Sequence, residues 1–224
     1  MSGIDILYKT PQIIVCVKPP GIPSQGDKAG TESMIDVLSA EFGQIYPIHR
    51  LDRGTGGTMV FARTKEAAAH LSKQAQAGTL RKTYIAVVSG KAANHAELAN
   101  YLIKNQKTNH SRVVDKDRKG AKLAELEYQL LGTGMDSENK PLSLVSVLLK
   151  TGRHHQIRVQ MANAGLPVCQ DSKYNPAFKK KTGSIPALWA MTLEFEEPKT
   201  GKKLSFSSKP NGNEYPYSIF KGAI

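Results

Sequence analysis

The run His49-Arg50-Leu51-Asp52-Arg53 sets a carboxylate between two arginines, just before the glycine-rich turn Gly54-Thr55-Gly56-Gly57. Positive charge on both sides favours the carboxylate anion. An ionised Asp on a tight turn can act as nucleophile or as base. A surface ion pair capping a turn is the plainer reading. A second cluster, Lys150-Thr151-Gly152-Arg153-His154-His155-Gln156-Ile157-Arg158, opens a helix. Backbone N–H groups and basic side chains there favour anions such as phosphate; a solvated basic helix start is the ordinary alternative. His154 and His155 are adjacent, so on a helix they point different ways, and no third ligand stands at a useful spacing. No metal site is expected. Tyr84, at the start of an apolar strand, reads by itself as a packing residue with a wet hydroxyl.

Other chemistries are missing from the chain. It has no G-x-x-x-x-G-K-[ST] phosphate loop, no G-x-S-x-G elbow, no H-E-x-x-H and no G-x-G-x-x-G after a strand. These gaps argue against an ATPase, a serine hydrolase, a zinc peptidase and a nicotinamide enzyme.

The elements that must position the two clusters follow from periodicity and end signals. Residues 4–8 and 13–17 read as strands, and Pro19-Pro20-Gly21 with Pro23 forces a rigid turn. Residues 32–42 have helical spacing, with Thr31 as N-cap and Gly43 as stop. Residues 57–63 form a buried strand. Residues 65–77 form a helix bounded by Thr64 and Gly78. Strands are expected at 82–89, 125–130, 142–149, 187–195 and 203–207, and a helix at 156–164 ending at Gly165. The clean alternation of Leu126, Tyr128 and Leu130 with Glu125, Glu127 and Gln129 marks a half-buried strand. Residues 102–119 are basic and polar, an exposed loop or hairpin. The tail from Asn211 is loop and then a short helix. Strands with short connections and interspersed helices give an α+β arrangement. Residues 90–105 are the candidate hinge.

Composition narrows the partners. The 224-residue chain carries 31 Lys and Arg against 19 Asp and Glu, a formal charge of +12, and 40% of its residues are hydrophobic. That balance suits a folded protein with a polyanionic partner, bound through phosphate contacts and counterion release. The sequence has no long apolar span and no basic amphipathic helix, so membrane binding is not expected. Cys16 and Cys169 are far apart and form no C-x-x-C pair, and no secretory signal is visible. A reducing, cytoplasmic setting is expected, with Cys16 as a small core residue.

Taken together, the two clusters resemble the RluA-type pseudouridine synthases. IDILYKTPQIIVCVKPPGIPSQ resembles the family's opening strand pair and K-P-x-G-x-P turn. HRLDRGTGGTMVFARTKEAA is close to its H-R-L-D-x-x-T-S-G segment. Lys82-Thr83-Tyr84 is similar to its K-x-Y segment. TGRHHQIRVQMANAGLPVCQDSKY resembles T-G-R-x-H-Q-I-R and the G-x-P-I-x-G-D-x-x-Y that follows. The likeness spans residues 4–206, and several segments in the right order are specific where one would be weak.

The resemblance implies an α+β pseudouridine synthase fold: a long mixed, largely antiparallel sheet with flanking helices and a catalytic cleft. It implies one catalytic domain over residues 1–224, as a single body or as two subdomains sharing one sheet. The implied reaction is isomerisation of uridine to pseudouridine in structured ribosomal or transfer RNA. The glycosidic C–N bond breaks, the base rotates and a C–C bond forms, with no cofactor or metal. Asp52 matches the catalytic aspartate, Tyr84 a tyrosine that stacks on the flipped base, and Arg158 an arginine that pairs with the aspartate. Arg50 matches an arginine that enters the RNA stack in some members, and Ile157 an apolar pocket residue. His49, Arg53 and Arg153 are the neighbouring candidates for RNA contact. A base must leave its stack to react, which requires such filler and stacking groups. A monomer is expected, with RNA as partner and no nucleotide cofactor.

Four positions depart from the family pattern: Gly56 for Ser, His154 for a small or polar residue, Gln170 for Gly and Trp189 for His. They leave room for an alternative, a noncatalytic RNA-binding protein on the same fold.

Overall fold

The computed structural model describes residues 3–26, 30–179 and 183–224. The chain divides into two compact units, Met1–Lys82 with Trp189–Pro210, and Thr83–Leu188 with Asn211–Ile224.

In the first unit β1 (Asp5–Lys9) and β2 (Ile13–Lys18) form an antiparallel pair. Helix α1 (Met34–Phe42), the short β3 (Tyr46–Pro47), β4 (Gly56–Ala62) and helix α2 (Lys65–Ala77) follow. Late in the chain β10 (Leu188–Glu196) and β11 (Lys203–Ser207) complete the unit. Strand β4 lies antiparallel to β2 and to β3, but parallel to β10. Every residue of β4 is buried, as a central strand covered on both faces should be. One face meets α2: Ile13, Val15, Val60, Ala62, Ala67, Leu71, Leu193 and Phe195 form a contiguous core. Helix α2 carries both end signals, with the Thr64 hydroxyl accepting from the Ala67 amide and Gly78 left-handed at the stop. Cys16 is fully buried, and burial pushes its thiol up to about 12, so it is inert packing.

Helix α1 begins two residues later than its spacing suggests. Its N-cap is Ser33, not Thr31, because Ser33 and Asp36 close a reciprocal capping box.

The second unit contains the strand order β5 (Arg81–Ser89, from Thr83 on), β9 (Pro141–Leu149), β8 (Lys122–Met135), β6 (His95–Asn105) and β7 (His110–Val114). All of these pairings are antiparallel. Strand β8 outruns the expected 125–130 at both ends because it is paired on each side, with β6 and with β9. The basic segment 102–119 contains a hairpin, β6–β7. Strand β6 starts at His95, seven residues before Leu102, and Ala96, Leu98 and Asn100 pair with β8. The hinge expected over 90–105 is therefore wrong: most of that segment is strand. The division between units falls instead at Lys82/Thr83, Leu188/Trp189 and Pro210/Asn211. Helix α3 (Gln156–Asn163) places Val159 against Leu102 and Ala124.

Candidate active site

Asp52 sits on the loop between β3 and β4, half-buried, and its neighbours on both sides are clamped by the turn after β2. The Ser24 hydroxyl accepts from the Leu51 amide at 3.0 Å and donates to the Leu51 carbonyl at 2.9 Å. The Gly21 amide donates to the Arg53 carbonyl at 2.8 Å, and the Arg53 Nε returns a bond to the Gly21 carbonyl at 2.8 Å. The fully buried Lys18 adds its ammonium, donating to the carbonyls of Pro19, Ile22 and Arg53 at 2.9, 2.6 and 3.2 Å. Burial pulls Lys18 down to about 8, opposed by the Asp52 carboxylate. The Thr55 amide closes the turn on the Asp52 carbonyl at 2.9 Å. Backbone held at i−1 and i+1 is what a preorganised catalytic group requires. Lys18 opens the K-P-x-G-x-P stretch and Ser24 follows it, and nothing in their local sequence signals this task.

His49 is turned into the sheet. The far edge of β4 pairs with β10 at Gly56 and Gly57 and with β3 at Phe61 and Ala62. Between them the Val60 amide donates to His49 Nε2 at 3.2 Å. Burial, with Lys82 nearby, lowers His49 to about 3, so the ring is neutral. Arg50 and Arg53 are exposed on the same loop.

Trp189 and Gly56 account for each other. They are directly opposite in the parallel β4–β10 pair. A Cβ on Gly56 would collide with the indole ring of Trp189, lying 2.8 Å from its Cε3. The indole is held by its Nε1, which donates to the carbonyl and hydroxyl oxygens of Ser208, each at 3.1 Å. Two of the four departures are therefore one complementary change. Gly56→Ser should destabilise the protein by about 1–3 kcal/mol through overpacking. The companion Trp189→His should recover most of that loss, as urea midpoints would record; an additive double variant would refute the coupling.

Tyr84, Arg153, Ile157 and Arg158 belong to the second unit. Tyr84 is buried in β5 opposite Val147. The start of α3 is tied by Gln156. Its Oε1 accepts from the Thr151 hydroxyl at 2.7 Å and the Arg153 amide at 2.9 Å, and its Nε2 donates to the Glu125 carbonyl at 3.0 Å. The exposed Arg153 donates through Nε to the Leu123 carbonyl. Ile157 is 4% exposed.

Arg158 is buried and forms a two-pronged ion pair that the sequence did not reveal. Its Nε and Nη2 each donate to a carboxylate oxygen of Asp171 at 2.7 Å, and Asp171 is fully buried. The Arg158 guanidinium also stands over the Tyr174 ring, 5.2 Å from its centroid.

His154 and His155 do not point different ways as expected: they precede the helix, His155 as a left-handed N-cap, and their rings stack with centroids 3.7 Å apart. Their Nδ1 atoms bond to the Ser111 and Tyr174 hydroxyls respectively, each at 2.8 Å. Burial first, and then Arg158 and other cations, push His155 far below its ordinary value. Among the described residues, His95, Glu97 and Glu127 bring potential metal ligands together, but the Lys150 ammonium lies 3.2 and 3.1 Å from the two carboxylates.

The neutral rings of His49 and His155 carry a pH consequence. Both are lowered in the folded state, so between pH 6.5 and their folded values the unfolded chain binds more protons. Stability is full above about 6.5 and falls with acid. From pH 7 to 5 each histidine should cost about 2 kcal/mol. Urea unfolding at the two pH values measures this, and an unchanged midpoint would contradict it.

Residues 12–163 match the family model described as RNA pseudouridylate synthase. The chain is 34% identical to a protein of Haemophilus ducreyi named tRNA pseudouridine synthase C, across 92% of this chain and 90% of that one. It is 31% identical to the Haemophilus influenzae ribosomal large subunit pseudouridine synthase C, across 91% of this chain but 64% of the longer relative. The solved structure of human RNA pseudouridylate synthase domain containing 1 superposes with a TM-score of 0.77 at 20% identity, covering 93% of this chain and 84% of that one. That likeness supports the α+β pseudouridine synthase fold. The chain belongs to the RNA pseudouridylate synthase family.

Proposed function

We propose that the chain isomerises uridine to pseudouridine in structured ribosomal or transfer RNA, as one catalytic domain acting as a monomer in the cytoplasm. Asp52 acts at the target nucleotide, Tyr84 stacks on the flipped base, and Arg158 is the cation paired to the aspartate. Arg50, Arg53, Arg153 and Ile157 contact the RNA and the base, whereas His49, bonded to the Val60 amide, serves the sheet and not the RNA. The C1′–N1 bond breaks and the base turns. The C1′–C5 bond then forms as the proton on carbon 5 leaves and N1 gains one. No co-reactant enters this balance.

The observation that carries the reading is the family match over residues 12–163, which contains Asp52, Tyr84 and Arg158. Charge supports RNA as the partner. Lys107, Arg112, Lys116, Arg118, Lys119 and Lys122 are all exposed, on or just beyond the β6–β7 hairpin. Such a ribbon suits phosphate contacts. Each of the four departures has a local place in the fold. Gly56 and Trp189 fit each other. Gln170 adopts a positive φ of 60°, a conformation that glycine, the residue of the family pattern, takes without strain. His154 stacks on His155.

The test is tritium release from total RNA labelled at uridine carbon 5, taken from cells lacking this gene. Release by the wild type establishes the reaction. Tight RNA binding with no release would turn the assignment to a binder.

A further inference from the structure

We infer that the turn Asp171-Ser172-Lys173-Tyr174 is a cradle that aims Arg158, with Tyr174 as a positioning residue. The inference rests on Arg158 serving the isomerisation proposed above. The Asp171 carboxylate has two tasks. It grips the Nε–Nη2 edge of Arg158, and its Oδ1 also accepts from the amides of Lys173 and Tyr174 at 2.9 and 3.3 Å, folding its own turn. The Asn175 amide closes the turn on the Asp171 carbonyl at 2.9 Å. The same turn delivers the Tyr174 ring to the guanidinium face. One edge and one face of a planar group are thereby taken by a single turn, which leaves no freedom in where its Nη1 side points.

Tyr174 is itself held from two directions. The Ser111 amide on β7 donates to its hydroxyl at 2.8 Å, and His155 Nδ1 at the start of α3 lies 2.8 Å away. The hydroxyl has one proton, and neutral His155 can accept it at Nδ1, which places the imidazole proton on Nε2. The His155 and Tyr174 rings stand at 84° to one another. Hairpin, helix and turn thus converge on one phenol.

Stability alone does not explain this arrangement. A buried ion pair is commonly no better than apolar side chains of equal volume. The two buried glutamines of α3 differ from Arg158, since their amides satisfy backbone groups. Gln160 donates to the carbonyls of Leu98 and Ala124, and Gln156 to that of Glu125. Arg158 is instead fitted to one turn that fixes its orientation.

The experiment compares Tyr174→Phe and Tyr174→Leu by single-turnover tritium release at saturating labelled RNA, with RNA Kd measured beside it. Both variants lose the hydroxyl, and only Leu loses the ring. Phe keeps the ring but loses the two bonds that hold it, so its rate should fall between those of wild type and Leu. Leu should lose about tenfold to a hundredfold, the scale of a small misplacement, with Kd nearly unchanged. In an Arg158→Lys background, which keeps a cation for Asp171, Tyr174→Leu should have little further effect, because it acts through the guanidinium. Equal rates for Phe and Leu, or the same fold loss in both backgrounds, would overturn the cradle while leaving the isomerase reading intact. Absence of turnover in the wild type would overturn that reading itself.

Discussion

Asp52→Asn should lower turnover by at least about four orders of magnitude while RNA affinity and melting temperature stay near wild type. The substitution keeps the side chain's shape and removes the reactive anion. The loop's path is held by backbone bonds that the substitution does not remove. Leu51 is fixed by Ser24, and Arg53 by Gly21 and Lys18, through backbone atoms that Asn leaves untouched. Tritium release, RNA titration and a thermal melt on the same preparation give the three readouts. A variant retaining more than about a tenth of the activity would remove Asp52 from the catalytic role.

Arg158→Leu should cost about 3–5 kcal/mol of stability, because it strands the fully buried Asp171 without its cation. For a chain of this size that is a fall in melting temperature of about 10 °C. Activity should be lost as well. The two effects separate in the double variant Arg158→Leu/Asp171→Asn. Removing the second charge should recover part of the stability, while the asparagine oxygen can still accept from the Lys173 and Tyr174 amides. Activity should not return. A double variant no more stable than Arg158→Leu would show that the pair with Asp171 is not what the arginine supports.

Elements with strong local signals were legible before any fold was known. Helix α2 lies where its spacing, Thr64 and Gly78 place it. Strand β11 has its expected bounds, and β2, β5, β9 and β10 begin or end within one residue of theirs. The failures share a cause. Residues 95–101 lack the run of β-branched and aromatic side chains that signals a strand, yet they are β6 because β8 supplies a partner. Strand β3 is only two residues long and exists because β4 has an open edge there. At α1 the choice between Thr31 and Ser33 turned on which hydroxyl had an acidic partner three residues on, and Asp36 answers Ser33.

The sequence by itself determined the family, the α+β class and the residues on which the chemistry is proposed to rest. Those properties reside in ordered motifs and in local periodicity, both carried along the chain. Only the tertiary structure decided how those residues are held. It turned His49 onto the Val60 amide, 11 positions away, and brought Ser24 and Lys18 against the loop of Asp52. It matched Gly56 to the ring of Trp189, and it set Arg158 between Asp171 and Tyr174. Each of these contacts joins positions whose spacing carries no period. Their partners are chosen by burial, which leaves a polar group or a bulky ring with only the neighbours that the packed chain supplies.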